Sequence, residues 1–430
     1  MALFSLFITI IFIGVPIAFA FAIAAIAYVL LGDGVSLNFD GLVTVGFGAL
    51  DSFVLMAIPF FIFAGDLMKR GGIIRHLINF SGLFLKTSRS GIGGITVLTS
   101  TFFGAISGSS AASVAAVGSV MVPEMELQGY RRPYAAALVA ASGFIGILIP
   151  PSIPLILYGL ASSASIGDLF LAGIGPGLLV MLFFVLFNAF IFRRQGGTGV
   201  PNAIANSSPS ETAGQILLKA LPGLFLPILI LGGIYSGVFT PTEAAAVAVA
   251  YAIVVGRFVY KSFAFKQIPG IALESAVTSA TIMIIIGFAA FFGRLMTLEQ
   301  IPAMISEFML SITDNPILLT LLINVFLLFL GMFIETATVI VLVTPILMPL
   351  ITELGIDPVH FGVIMIMNLS VGLITPPMAL NLFVAARTTG VELKDLMRPI
   401  VPFFLISLVL LMIITFVPAI STFIPNALNY

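Results

Sequence analysis

The chain contains no cysteine and no tryptophan, only two histidines, and few charged residues. Without cysteine it can form no disulfide and offer no thiolate to a substrate or a metal. Without tryptophan, any aromatic anchoring at a membrane interface falls to tyrosine and phenylalanine. A net charge of −1 gives no electrostatic basis for binding nucleic acid or an anionic surface. Because 60% of the residues are hydrophobic and only 8% are charged, the composition also excludes a water-soluble domain.

The residue types that enzymes need are largely missing as well. No HExxH, CxxC, Walker or GxGxxG pattern occurs, so ATP is not the energy source of this chain. A hydrolase using Ser109 or Ser110 would need a base, but His76 and His360 both lie beside charged or proline-containing sequence rather than in apolar runs. The sequence therefore predicts a protein that is not an enzyme and that uses no organic cofactor.

What the chain has instead is a series of long, continuous apolar runs. Outer-membrane strands alternate apolar and polar residues, whereas these runs do not. The fold class is therefore predicted to be an all-α polytopic membrane protein. The run Met1–Leu31 has no basic residue at its front, so we expect a retained span, bent near Pro16, rather than a signal peptide.

One apolar tract, Gly91–Pro123, carries small polar residues near its middle, in the segment GAISGSSAASVAAVGS at Gly104–Ser119. The tract is too long for one crossing, which takes about 20 residues, and too short for two crossings with a turn. A re-entrant helical hairpin fits this length. Non-helical backbone at membrane depth is tolerated only where it is buried in protein or lines a cavity, so the tip is predicted to line a cavity.

The same pattern occurs twice. Gly146–Pro151 reads GILIPP and Gly372–Pro377 reads GLITPP, and nearly the same spacing relates Gly65–Met68 to Gly293–Met296. A second hairpin tract, Leu318–Pro345, is broken by Glu335 and Thr336. The sequence therefore predicts two repeats, each with a hairpin and a helix broken at Pro-Pro. Their predicted ranges are 1–194 and 215–430, with hairpins at about 91–123 and 317–350, broken helices at about 133–163 and 358–388, and a polar linker at 195–214.

Basic residues predict the orientation of the repeats. Arg193, Arg194 and Lys219 flank the linker, which places it in the cytoplasm, whereas both chain ends lack basic residues and are predicted to be periplasmic. Each repeat then crosses the membrane an odd number of times, and the two repeats are inverted. Inverted repeats are typical of secondary transporters with a site near the membrane midplane.

The segments that carry the repeat also resemble a known family. GAISGSSAASVAAVGS, IPPS at Ile149–Ser152, ETAT at Glu335–Thr338 and NLSVGLITPPMALNLFV at Asn368–Val384 resemble the large membrane subunit, the DctM-like permease, of tripartite ATP-independent periplasmic (TRAP) transporters. The resemblance covers essentially the whole chain. It implies a Na⁺-driven importer of organic acids such as C4-dicarboxylates or sialic acid, with an elevator-type moving domain, in the bacterial inner membrane. It also implies two partners, a small four-helix membrane subunit and a soluble periplasmic substrate-binding protein.

The broken helices and hairpin tips offer oxygen atoms to Na⁺. Proline frees the carbonyl one turn before it, and the tips add serine and threonine hydroxyls. Alternatively, the glycine and serine residues only allow close helix packing. The proposed Na⁺ ligands are Ser107, Ser109, Ser110, Gly146 and Ile149 in the first repeat, and Thr336, Gly372 and Thr375 in the second.

The candidate substrate contacts are one cation and several hydrogen-bonding groups. Arg294 lies at the end of an apolar run and could grip a carboxylate with two parallel hydrogen bonds, or could instead extend to the interface. Glu335 is either a ligand or a helix cap. Ser110 and Thr336 begin hairpin helices whose amino ends attract anions, and Asn381 could add an amide hydrogen bond.

Two other functions could use the same broken helices and hairpins. Broken helices also build the selectivity filters of ion channels, although two hairpins in inverted repeats favour a carrier with alternating access. A single-component Na⁺-coupled carboxylate carrier would have the same elements, and only the family resemblance favours the version that needs a binding protein. Asn188, Asn324 and Asn368 lie in apolar runs, where hydrogen bonds between helices are their expected role.

Overall fold

The structure, a computed structural model, describes residues 2–31, 39–85, 91–194 and 212–428, and every regular element in these ranges is a helix. Among the described helices, seven are long and apolar enough to cross a membrane, and the number of spans rises to nine if each of two bent pairs counts as one. These helices confirm the all-α, polytopic membrane class. Residues 195–211 of the predicted linker lie outside the described ranges.

Near the start of the first half, two pairs of consecutive helices are separated by short breaks. Helices α1 and α2 are separated at Gly14 and Pro16, and α3 and α4 meet at a 54° bend. Their bounds are α1 Ala2–Phe12, α2 Ile17–Leu31, α3 Phe39–Leu50, α4 Ala57–Arg70, α5 Ile73–Leu85, α6 Gly91–Ser107, α7 Ser110–Leu127, α8 Arg132–Gly143, α9 Ile145–Leu148, α10 Ile153–Ser162 and α11 Ile166–Arg194.

The second half contains the same kinds of element in the same order, with three differences. The bounds are α12 Ala213–Tyr235, α13 Pro241–Val254, α14 Ile268–Leu298, α15 Ile301–Ile312, α16 Pro316–Phe333, α17 Thr336–Glu353, α18 Pro358–Gly372, α19 Leu380–Thr389, α20 Leu393–Phe416 and α21 Ala419–Leu428. One helix, α14, takes the place of α3 and α4, one helix, α18, takes the place of α8 and α9, and α21 is an additional helix at the end.

Each half contains one helical hairpin. Helices α6 and α7 turn at Gly108, which has φ of +62°, and α16 and α17 turn at Ile334 and Glu335. The hairpins extend a few residues further than the sequence indicated, to Leu127 and Glu353, because α7 continues through Pro123 and α17 through two prolines. A proline inside a helix removes one hydrogen bond but need not end the helix when neighbouring helices enclose it.

Each half also contains one broken helix. Helices α8 and α9 lead into α10 with a bend of 43° across Pro150 and Pro151, and α18 leads into α19 across Pro376 and Pro377. Both Pro-Pro peptide bonds are cis. The broken helices form the centre of the molecule, since α8 is buried along nearly its whole length and α18 from its third residue onward. Helices α12 and α14 instead leave large apolar side chains such as Leu218, Ile228 and Leu273 exposed, as expected for helices that face lipid.

Pairs of glycines join each hairpin to its broken helix. A Cβ at Gly104 on α6 would lie only 2.3 Å from the Cα of Gly146 on α9. In the second half, a Cβ at Gly372 on α18 would lie 2.4 Å from the carbonyl group of Gly331 on α16. The two backbones therefore touch with no side chain between them, at corresponding places in the two halves. This close approach requires glycine on both helices.

Candidate functional site

The two hairpin tips and the two helix breaks meet around one cavity of about 520 Å³. Helices α4 and α14 complete its wall. The lining combines hydroxyl groups, exposed helix ends, apolar side chains and a few charged groups. Its polar and charged members are Asp66, Lys69, Ser107, Ser109, Ser110, Thr278, Glu335 and Thr336.

The first tip is shaped by local hydrogen bonds. Ser109 is the N-cap of α7, and its side chain accepts a hydrogen bond from the Ala112 N–H at 3.3 Å. Gly108 supplies the left-handed turn between the helices, where a residue with a Cβ would be strained. The Ser109 oxygen is therefore partly engaged by its own helix, whereas Ser107 and Ser110 bring further hydroxyl groups to the cavity wall.

Ser110 is held by a residue from the opposite half of the chain. The Asn381 amide, on α19, donates to the Ser110 hydroxyl at 2.7 Å and to the Ala140 carbonyl of α8 at 3.0 Å. The Ser110 hydroxyl can in turn donate to the Asn381 carbonyl oxygen at 3.0 Å. Asn381 is fully buried and does not line the cavity. In this structure it therefore positions the first tip and does not itself face the space that a solute would occupy.

The second tip presents an acid and a hydroxyl. Glu335 occupies the N-cap position of α17, but its side chain makes no capping hydrogen bond. Glu335 lines the cavity, and its role, as a ligand or as a helix cap, stays a prediction. Thr336, the first residue of α17, lies beside it in the wall. The amino ends of α7 and α17 consequently border the same space, an arrangement that favours an anion.

Four of the proposed Na⁺ ligands do not line this cavity, namely Gly146, Ile149, Gly372 and Thr375. Gly146 and Gly372 instead form the close backbone contacts between hairpins and broken helices. The Thr375 hydroxyl donates to the Val371 carbonyl at 2.6 Å within its own segment. Their role as ligands stays a prediction, and the packing alternative has direct structural support at the two glycines.

The helix breaks also satisfy some of the carbonyl groups that the prolines release. The Ile147 carbonyl accepts a hydrogen bond from the Ser152 hydroxyl, and the Leu373 carbonyl accepts one from the Asn381 N–H at 3.0 Å. These two carbonyls occupy corresponding places in the two halves but use different donors. Each carbonyl oxygen has two lone pairs, so a bound cation could still use the second.

Arg294 lies apart from the other candidate substrate residues. It is exposed near the end of α14 and is not part of the cavity wall. The structure therefore brings together Ser110, Glu335 and Thr336, joins Asn381 to Ser110 by hydrogen bonds, and leaves Arg294 outside. A contact between Arg294 and substrate stays a prediction.

Two charged residues that sequence reasoning had not assigned to the site do line the cavity. Asp66 and Lys69 lie one turn apart on α4, and the Ser275 hydroxyl of α14 donates to the Asp66 carboxylate at 2.7 Å. Their position at the end of an apolar run resembles that of many interfacial charges. The spacing that relates Gly65–Met68 to Gly293–Met296 pairs Asp66 with Arg294, and that pairing was the available signal.

The buried asparagines and His360 serve packing between helices. Asn368 donates to Asn324 at 2.7 Å, and Asn324 donates to the Thr415 hydroxyl at 3.1 Å. Asn188 hydrogen-bonds tyrosines of neighbouring segments. His360 is buried, contrary to the expectation from its proline-containing surroundings, and its ring nitrogens contact the Ser421 hydroxyl and the Thr415 carbonyl.

Comparison with known proteins gives one family over almost the whole chain. Residues 4–420 match the family described as "Tripartite ATP-independent periplasmic transporter, DctM component". An isethionate TRAP transporter permease protein, DctMQ, of Oleidesulfovibrio alaskensis is 40% identical over 98% of this chain. The C4-dicarboxylate TRAP transporter large permease protein DctM of Pseudomonas aeruginosa is 41% identical over 89% of the chain. The sialic acid TRAP transporter large permease protein SiaM of Vibrio cholerae is 36% identical over 96%.

The matched share of these relatives differs. The chain spans 65% of the length of the isethionate protein, 88% of the C4-dicarboxylate protein and 96% of the sialic acid protein. Among solved structures, the YdaH transporter of Alcanivorax borkumensis matches with a TM-score of 0.63 at 18% identity, covering 91% of this chain and 90% of that one. At this identity the likeness concerns the fold alone.

Proposed function

Because the chain belongs to the DctM component family of tripartite ATP-independent periplasmic transporters, we propose that it is the Na⁺-driven permease for an organic acid anion. Membership makes it a transporter component rather than an enzyme. Its relatives are named for isethionate, C4-dicarboxylates and sialic acid, which are all small organic anions. We propose a solute of this class for the present chain.

The observation that carries the proposal is the cavity that both hairpin tips and both helix breaks border. The first N–H groups of a helix have no partner within that helix, so the amino ends of α7 and α17 favour an anion in this cavity. Ser110 and Thr336, their first residues, would hydrogen-bond it. Asn381 is proposed to act on the substrate through Ser110, which it positions. Arg294 is the further proposed substrate residue and acts in a different arrangement of the carrier, as described below.

Na⁺ is proposed as the co-transported ion, bound by hydroxyl and carbonyl oxygens around the tips. Ser107, Ser109, Ser110 and Thr336 line the cavity and supply such oxygens. Gly146, Ile149, Gly372 and Thr375 remain proposed ligands from behind the tips. The Glu335 carboxylate adds negative charge close to these groups, and a hard cation favours oxygen ligands of this kind.

The distribution of basic residues supports inverted repeats in an inner membrane. No Lys or Arg precedes Lys69, and none occurs between Arg294 and Arg387, a stretch that includes the whole second hairpin. The first hairpin is instead followed directly by Arg131 and Arg132. By the positive-inside rule, the first hairpin starts from the cytoplasm and the second from the periplasm, with both chain ends periplasmic.

The proposed mechanism is an elevator. Both hairpins and both broken helices would move as one transport domain, because the glycine contacts leave no space for a hairpin to slide past its broken helix. The remaining helices, including α2, α4, α12 and α14, would form the fixed scaffold. The scaffold would also bind a small four-helix membrane subunit, and a soluble periplasmic binding protein would deliver the anion.

The proposal is tested by uptake into proteoliposomes. The chain is reconstituted alone and with its small subunit and binding protein, and uptake of labelled succinate, sialic acid and isethionate is measured with and without a Na⁺ gradient. Uptake of one anion that requires both partners and Na⁺ is the expected result. Na⁺-driven uptake by the chain alone would make it a self-sufficient carrier, and conductance without saturation would make it a channel.

A further inference from the structure

The part of the cavity wall that belongs to hairpins and broken helices is partly paired. Five pairs of residues at one constant spacing along the sequence line the cavity from both halves, whereas other lining residues of the first half, such as Ser107 and Ala115, have no lining counterpart. The pairs are Ser109 with Glu335, Ser110 with Thr336, Ala111 with Ala337, Ile147 with Leu373, and Pro154 with Leu380.

The rest of the wall is not paired. Gly65, Asp66 and Lys69 on α4 line the cavity, whereas their counterparts Gly293, Arg294 and Thr297 on α14 do not. A Cβ at Gly65 would lie 3.1 Å from the Cα of Ser107, so the first tip rests directly against this glycine. At Gly293 a Cβ would meet nothing within 4 Å.

The two unpaired segments nevertheless occupy equivalent places in the fold. They read FAGDLM and FFGRLM, and the two residues after the charged position are buried in both. Leu67 and Leu295 are both fully buried, and so, to within 1%, are Met68 and Met296. The two segments differ in what packs against the glycine. The first hairpin tip lies against Gly65, whereas Gly293 faces open space.

Paired residues at the tips and helix breaks, set against the unpaired α4 segment, are what one of two related end arrangements of inverted repeats would present. We propose that in the opposite arrangement the transport domain rests against Gly293, so that Arg294 and Thr297 line the cavity and Arg294 binds the acid group of the solute. This inference rests on the proposed elevator function. It adds the residues that would contact the solute when the transport domain is in the opposite arrangement.

The two ends of the path then differ in charge. Asp66 and Lys69 together contribute no net charge to the wall, and Asp66 is held in place by Ser275. Arg294 stands alone, since no other Lys or Arg lies between Lys266 and Arg387. A guanidinium can donate two parallel hydrogen bonds to a carboxylate or sulfonate. The anion is therefore bound more strongly at the Arg294 end and released more readily at the Asp66 end.

The test uses the absence of native cysteine. Ala115 lines the cavity, and Ala115→Cys provides a reporter that a membrane-impermeant maleimide can label from either face. Gly293→Leu adds a side chain where the present arrangement has open space, so the protein should fold normally but be unable to reach the opposite arrangement. Gly270→Leu is the matched control, because it lies on the same helix with nothing within 4 Å of its Cβ.

With both partners present, we expect the reporter in the otherwise unchanged chain to be labelled from both faces. In the proposed topology the basic end of α4, at Lys69 and Arg70, lies toward the cytoplasm, so the present cavity faces that side. Gly293→Leu should therefore reduce labelling from the periplasmic face by about tenfold or more and leave cytoplasmic labelling intact. Gly65→Leu should do the reverse. Labelling of Gly293→Leu from both faces, as in Gly270→Leu, would overturn the inference. A reporter labelled from one face only in the unchanged chain would instead contradict the elevator function itself.

A second measurement addresses Arg294 directly. For whichever of succinate, sialic acid and isethionate the assembly transports, Arg294→Gln should raise the KM for uptake by about tenfold or more. The KM for exchange from the cytoplasmic face should not change. Equal changes at both faces, or none at either, would remove Arg294 from the solute path.

Discussion

The close contact between Gly104 and Gly146 allows a prediction about replacing a glycine there by alanine. The replacement has two opposite effects on stability, and the larger effect decides the outcome. Replacing glycine by alanine inside an open helix stabilises the folded state by about 0.5 to 1 kcal/mol, because alanine loses less backbone freedom on folding. At Gly146 the added methyl carbon would lie 2.2 Å from the Gly104 Cα, well inside any allowed contact distance.

Relieving that clash requires the hairpin and the broken helix to separate. Overpacking of this kind costs about 1 to 3 kcal/mol. The cost here should fall at the upper end of that range because the opposing atoms are backbone rather than a movable side chain. After the helix gain is subtracted, Gly146→Ala should lose about 2 kcal/mol. Gly372→Ala should behave alike, since its Cβ would lie 2.4 Å from the Gly331 carbonyl carbon.

The assay is reversible unfolding in mild detergent by added dodecyl sulfate, followed by circular dichroism at the helix band. Gly270→Ala serves as the control, because its Cβ meets open space. Its midpoint should equal or exceed that of the unchanged chain, whereas the midpoints of Gly146→Ala and Gly372→Ala should both fall. If Gly146→Ala proves as stable as Gly270→Ala, the two backbones are not in contact and the reasoning fails.

Three further predictions concern the tip, the surface and the orientation. A double-mutant cycle of Ser110→Ala and Asn381→Ala should give a coupling energy of about 1 to 2 kcal/mol in the same unfolding assay, and a value near zero would show that their hydrogen bonds do not hold the tip. Arg70→Gln should change stability by less than about 1 kcal/mol, because its ion pair with Glu274 is half exposed, and a larger loss would mean that this pair is shielded from water. Cysteine placed at Asn206, in the predicted linker and outside the described residues, should react with impermeant maleimide only from the cytoplasmic face, and periplasmic labelling would refute the inverted topology.

The two hairpins and the two breaks could be predicted from sequence because each carries a local signature. Small polar residues in an apolar tract mark a tip, and Pro-Pro marks a helix break wherever it occurs. The ends of the hairpins were less predictable, since Pro123 looks like a stop but lies within α7. Whether a proline ends a helix depends on the neighbours that surround it, and these are distant in sequence.

The partners of individual residues could not be derived in the same way. Glycines such as Gly146 and Gly372 look equally suited to exposing a carbonyl and to close packing, and only the three-dimensional crossing shows that both lie against another glycine. Asp66 and Lys69 read as ordinary charges at a helix end until the cavity beside them is seen. Arg294 is conspicuous in sequence, but sequence alone does not show that it lies outside the cavity wall in this structure.

The paired glycine contacts also limit how this protein can close its site. Since the first arm of each hairpin touches its broken helix backbone to backbone, the arm has no slack to swing open as a flap while the broken helix stays in place. A separate lid at the tip would require that contact to break each time. In the proposed elevator, access would then be controlled by which part of the fixed scaffold the site faces, and the scaffold would seal the site from each compartment in turn.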